Sequence, residues 1–182
     1  ILLLSGCASH ASGQVFWDVD TNGEWGFAGN WTSDPLLPGP MDDVVIDRPT
    51  ADVSVSLTDT DVEIASLMIA PGERLRQIRS NITTSGVNQI DGTLEFTATS
   101  FGQNSGEIIG GTWLGSGGVQ YNLQNTDVTL RTVTWGLPEL FVVADGTMFI
   151  RDGMTLLEGS QLIVAQRSAR LDVRGDINGG GE

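Results

Sequence analysis

An all-β chain, wound as a right-handed parallel β-solenoid behind a tryptophan-rich N-terminal cap, is the fold this sequence predicts. Three observations lead there. After residue 50 no stretch keeps the 3.6-residue apolar period of a helix over several turns. Short alternations recur instead, as in Val53-x-Val55-x-Leu57, Val62-x-Ile64, Leu94-x-Phe96, Val119-x-Tyr121-x-Leu123, Val128-x-Leu130 and Leu171-x-Val173, with Gly, Asn, Asp and Ser between them. Third, a phrase of glycine, a small hydroxyl residue and apolar positions returns at Gly92-Thr93-Leu94, Gly111-Thr112-Trp113, Gly146-Thr147-Met148 and Gly159-Ser160-Gln161-Leu162. Gly146, Gly153 and Gly159 lie too close together for a strand–helix–strand unit. They suit short strands joined by abrupt corners, each set forming one rung of a coil. A β-sandwich has similar strand spacing and is the competing architecture; the recurring phrase favours the coil.

The chain divides into three parts on this reading. Residues 1–14 form a leader and tether, residues 15–50 a Trp-rich cap with the first strand, and residues 51–182 the stacked rungs. Inward Val, Leu, Ile and Phe would make a continuous apolar column, leaving hydroxyls and acids outside. A stack of rungs needs a cover for its first open end, and Trp17, Trp25 and Trp31 supply one.

Composition narrows the partners. With 182 residues there is one domain or at most two, long enough to bury a core. Twenty-three acids face nine arginines, there is no lysine, and the net charge is −14. Such a chain repels nucleic-acid phosphates and anionic headgroups, so nucleic acid is excluded as a partner and a membrane is reached only through a lipid anchor. The single cysteine, Cys7, rules out an intrachain disulfide and a cysteine-rich zinc site. The single histidine, His10, sits in a Ser/Ala/Gly stretch, a poor base for a catalytic triad or a His-rich metal centre.

Two segments resemble known families. Leu4-Ser5-Gly6-Cys7, after the apolar Ile1-Leu2-Leu3, resembles the end of a bacterial lipoprotein signal. The resemblance implies cleavage before Cys7 and lipidation of its thiol, with Ala8–Gln14 as a tether. A basic region should precede such an apolar run, so the chain is expected to be cut short upstream. The second segment is Trp17–Ile46, reading W…G-x-W…N-W…P-G-x-x-D-x-V-x-I. It resembles the start of bacterial surface and secreted β-solenoid proteins, including autotransporter passenger-like adhesins. Gly175-Asp176-Ile177-Asn178-Gly179-Gly180-Gly181 resembles the opening of an autotransporter-associated β-strand repeat, which implies a longer protein beyond residue 182. Together these resemblances imply a bacterial cell-surface, outer-membrane or extracellular location.

Candidate chemistry is sparse. Asp18-x-Asp20-x-Asn22-Gly23 has the alternating oxygens and turn glycine of half a calcium loop. The twelfth position, where an EF-hand needs a bidentate acid, is Gly29. Asp18, Asp20 and Asn22 are therefore weak metal candidates, calcium is the one cofactor considered, and no catalytic residue is nominated. Close acid pairs, Asp42-Asp43, Asp59/Asp61 and Asp18/Asp20, with Arg74, Arg76 or Arg79, would suit a polysaccharide lyase or hydrolase if they converged; a solvated outer face is the plainer expectation. Exposed tryptophans stack on sugar rings, which makes Trp17, Trp25 and Trp31 candidate glycan contacts as well as cap residues. Arg174-Gly175-Asp176 spells a cell-attachment tripeptide, given little weight because the glycine fits a corner. The expected function is non-enzymatic adhesion and structural display toward extracellular polysaccharide or surface proteins. A β-helix polysaccharide enzyme and a filament or coat subunit are the alternatives.

Overall fold

The computed structural model describes residues 13–97, 104–122, 127–142, 146–164 and 170–179. Nineteen strands follow one another in this part of the chain. They are β1 (Gln14–Phe16), β2 (Gly23–Glu24), β3 (Asp43–Ile46), β4 (Ser54–Thr58), β5 (Val62–Ile64), β6 (Ser66–Ile69), β7 (Arg74–Ile78), β8 (Ser80–Thr84), β9 (Val87–Ile90) and β10 (Thr93–Thr97). Then come β11 (Asn104–Ile109), β12 (Thr112–Leu114), β13 (Gly118–Asn122), β14 (Asp127–Trp135), β15 (Glu139–Val142), β16 (Thr147–Leu156), β17 (Gln161–Val164), β18 (Arg170–Arg174) and β19 (Ile177–Gly179). Among the described residues the only helical element is one 3-10 turn, Ala28–Asn30.

The strands wind into a three-sided parallel β-solenoid of about five turns. The first face stacks β1, β3, β6, β9 and β12, then the second halves of β14 and β16, then β19. The second face stacks β5, β8 and β11, then the first halves of β14 and β16, then β18. The third face stacks β2, β4, β7, β10 and β13, with the β15–β17 pair continuing that side. Every pair of named strands is parallel. That excludes the β-sandwich, whose sheets are antiparallel. The long strands β14 and β16 serve two faces because they bend at Thr132 (φ 51°) and Asp152 (φ 57°), where their register shifts.

Parallel pairing brings like residues into columns about 4.8 Å apart. Val55, Leu75 and Leu94 line up on the third face. Ile82, Ile108, Leu130 and Ile150 do so on the second, and Ile46, Ile69 and Ile90 on the first. All of them are buried in one apolar core, each side chain contributing roughly 1.5–3 kcal/mol by leaving water. Trp113 and Trp135 are adjacent on the first face, both fully buried and stacked. Asn88 lies beside Trp113 in the same column. Its Oδ1 accepts the Leu67 N–H at 2.9 Å and its Nδ2 donates to Thr84 Oγ1 at 2.9 Å, so a buried amide is satisfied without water.

The glycine–hydroxyl phrase does not mark one place in the rung. Gly92-Thr93 opens β10 on the third face, Gly111-Thr112 opens β12 on the first, and Gly146-Thr147 opens β16 on the second. Corners on all three sides share the same need for a tight turn followed by an inward side chain. The sequence therefore shows the corners rather than the coil period.

The Trp-rich segment covers the start of the coil. β1 pairs with β3 and β2 with β4, so this stretch lies before the first complete rung. Trp17 bridges Trp31 in antiparallel fashion, their ring centroids 5.0 Å apart at 90°. Trp25 meets Trp31 at 4.7 Å and 61°. These are edge-to-face contacts, the geometry favoured by ring quadrupoles. Trp31 Nε1 donates to the Trp25 carbonyl at 2.8 Å, and the Trp25 N–H reaches the Ser56 carbonyl of β4 at 2.8 Å.

Candidate functional site

Trp17, Trp25 and Trp31 are 0%, 1% and 1% exposed. No ring face is open, so a sugar has nothing to stack on there. The sequence nominated these three for two roles, and their packing fits the cap and not the glycan platform.

The half calcium loop is already occupied by protein groups. Asp20 Oδ1 receives the Arg48 guanidinium at 2.6 and 2.7 Å, and Asp18 lies 3.7 Å from the same arginine. Asn22 Oδ1 accepts the Ser54 N–H at 2.7 Å. A hard cation needs these oxygens converging on one point; instead they anchor the cap to the loop after β3 and to β4. Among the described residues no three acids, histidines or cysteines gather around a common centre. Cys7 and His10 lie outside the described residues.

The acid pairs are likewise engaged separately. Asp42 is buried, and its Oδ2 accepts the Gly39 N–H at 2.8 Å. Asp43 accepts the Ser66 hydroxyl at 2.5 Å. Asp59 forms a two-bond pair with Arg79, one bond being 2.6 Å, and this hydrogen-bonded guanidinium holds the Asp59 carboxyl below its ordinary range. Asp61 accepts the Asn81 N–H at 2.9 Å. Arg74 and Arg76 share the outer face of β7, as their two-residue spacing requires, and both point at Glu95 of β10, at 3.3 and 3.5 Å. The sequence-nominated arginines are thus structural partners of acids on neighbouring rungs.

Two acids missed by sequence reading organise the corners between the first and third faces. Glu73, 2% exposed, accepts the Arg48 N–H at 3.0 Å and the Val53 N–H at 2.6 Å. One rung later Asp91 accepts the Ser116 N–H at 2.9 Å and its hydroxyl at 2.8 Å, and Gln89 reaches the other oxygen. The Ser116 N–H contributes most to holding the Asp91 carboxyl below its ordinary range. No periodic signal marks an acid that serves backbone donors twenty or more residues away.

Toward the C-terminal end, described residues line two concavities of the outer surface. One, of about 210 Å³, is lined by Thr132, Thr134, Asp152, Thr155 and Asn178 at the bend between the second and first faces. The other, of about 410 Å³, lies on the second face and is lined by Thr147, Phe149, Arg170 and Asp172, with Leu171 and Val173. Around it the arginines form a column in register, Arg131, Arg151 and Arg174. Arg131 meets Glu107 at 2.8 Å and also Asp152, which together raise its pKa, Asp152 contributing most. Arg151 lies 3.1 Å from Asp172 and places its guanidinium carbon 4.5 Å from the Phe149 ring centroid. That pairing lowers the Asp172 pKa.

No helix among the described residues is long and apolar enough to cross a membrane. No protein-family model, curated protein or solved structure matches the chain.

Proposed function

We propose that this chain is a non-enzymatic display and adhesion module of a bacterial surface protein, lipid-anchored through Cys7 and presenting its coil to extracellular polysaccharide or to proteins of other surfaces. The observation that carries this reading is that the nominated acids are engaged one by one with separate protein groups, Asp20 with Arg48, Asp59 with Arg79 and Asp61 with the Asn81 N–H, while Arg74 and Arg76 face Glu95. A glycosidase or lyase needs carboxylates poised across one substrate bond; these are dispersed and committed to holding rungs together. A stiff coil with mixed outer faces instead suits many weak contacts that add by multivalency. The lipoprotein and autotransporter-like assignments rest on the residues around Cys7 and on the Trp17–Ile46 segment.

The test is retention on immobilised polysaccharides and on bacterial or host cell surfaces, with reducing-end release and unsaturated-product absorbance followed in parallel, with and without calcium. Retention with intact polymer supports adhesion. Polymer cleavage that tracks the purified chain overturns it in favour of an enzyme. Concentration-dependent fibre growth with no retention favours the filament reading.

A further inference from the structure

The nine arginines are the only cationic side chains besides His10, and nearly all are consumed. Among the described residues every arginine except Arg170 has a carboxylate within ion-pair distance. Arg170 opens β18, is exposed, and lines the 410 Å³ concavity of the second face. Thr147 stands beside it in register, and Phe149 and Asp172 form the next matched pair along the strands. Asp172 does not oppose an incoming anion strongly, because Arg151 and Arg174 sit 3.1 and 3.5 Å from it. The groups left for a ligand are therefore one guanidinium, one hydroxyl and a partly exposed aromatic ring that already carries the Arg151 guanidinium on one face.

We propose that Arg170, Thr147 and Phe149 form a binding site for a uronate unit of an acidic polysaccharide. The proposal rests on the adhesion reading above and names its ligand class. A guanidinium presents two parallel N–H groups that match the two oxygens of a carboxylate. A pyranose ring offers an apolar C–H face to an aromatic ring, and its hydroxyls suit a threonine. The concavity is an open one on the outer face, which lets a single unit of a longer polymer enter sideways. The net charge of −14 does not forbid this. Screening acts over about 8 Å at physiological ionic strength, so charges on distant rungs are largely silent and the local set around Arg170 decides.

The test is calorimetric titration of the full chain with a galacturonate trimer and, separately, with the neutral galactose trimer. The expected result is uronate binding at least roughly tenfold tighter than the neutral trimer. Arg170→Gln should remove that preference, Phe149→Ala should weaken both ligands, and the remote Arg79→Gln should change neither. Circular dichroism and melting of each variant separate lost binding from lost folding; if Phe149→Ala fails to fold, Phe149→Leu replaces it. Equal binding of the two trimers, or uronate binding unchanged by Arg170→Gln, overturns the site while leaving the adhesion reading intact. No uronate binding at millimolar ligand overturns the site as well. If the chain also fails to stay on every polysaccharide and cell surface tried, the adhesion reading falls separately.

Discussion

The indole of Trp113 lies over that of Trp135 one rung on, with centroids 6.4 Å apart and planes 21° from parallel. The two differ in one respect. Trp113 Nε1 donates to the Gly110 carbonyl at 3.0 Å, whereas Trp135 Nε1 is buried with no acceptor. Replacing Trp135 by Phe removes an unsatisfied donor, and replacing Trp113 by Phe leaves an acceptor bare. Trp113→Phe is expected to cost about 1 kcal/mol more than Trp135→Phe, read as the difference in urea midpoints at constant m. Equal losses would mean that stacking alone governs this pair.

Glu73 ties two backbone donors across the corner that leads into β4. A glutamine there keeps one acceptor and places an NH₂ against an N–H. Glu73→Gln is therefore expected to destabilise by roughly 1–3 kcal/mol, and hydrogen exchange should speed first at Arg48 and Val53. Unchanged protection at those two amides would show that the corner holds without the acid.

The acid limb of the stability profile follows from Asp59, Asp91 and Asp172. All three carboxyls are held below their ordinary range, chiefly by Arg79, by the Ser116 N–H and by Arg151 respectively. A carboxylate depressed in the native state stabilises the fold above its unfolded value, near about 3.9, and loses that contribution as pH falls through its native value. Stability from these groups is thus complete at neutral pH and declines only below about pH 4. Asp91→Asn should flatten the decline and lower stability at pH 7. A decline that begins above about pH 6 would point to some other titrating group.

Calcium should be inert toward the cap. Melting temperature is expected to be the same in EDTA and in millimolar calcium, because Arg48 already fills the space between Asp18 and Asp20. Arg48→Gln should lower it by an amount corresponding to about 1 kcal/mol or less. A calcium-dependent rise in the wild-type chain would refute the assignment of these acids to Arg48.

Two glycines with positive φ separate strain from crowding. A Cβ on Gly106 (φ 127°) would sit 1.7 Å from the Ser80 carbonyl oxygen, inside the pairing of β8 with β11. Gly159 (φ 84°) faces open space. Gly106→Ala is expected to cost more than about 4 kcal/mol and Gly159→Ala about 1–2 kcal/mol, measured by thermal or urea unfolding. Comparable losses would mean that the β8–β11 contact relaxes.

Much of this architecture was legible, because parallel stacking needs only short alternations and frequent corners. Val53–Leu57, Val62–Ile64, Leu94–Phe96 and Leu171–Val173 were read as strands, and all lie in or at the edge of one. The cap was readable because three tryptophans in so short a stretch demand burial. The rung period was not, since Leu75, Leu94 and Val119 share a column although unequal loops separate them. The partners of the acids were hidden for the same reason. Asp20 meets Arg48, and Glu73 meets Val53, only after the chain has wound once around. The surface concavity escaped notice because Phe149 looks like a core residue until the strand's alternation shows which way it faces.

The five tryptophans fall into two separate groups, a trio at Trp17, Trp25 and Trp31 and a pair at Trp113 and Trp135. The chain thus carries two built-in optical reporters at different heights. Coupled indoles give strong near-ultraviolet dichroism, and the double change Trp113→Phe with Trp135→Phe would leave the trio as the sole indole emitter. Fraying of the N-terminal end could then be timed from fluorescence alone, with no label added.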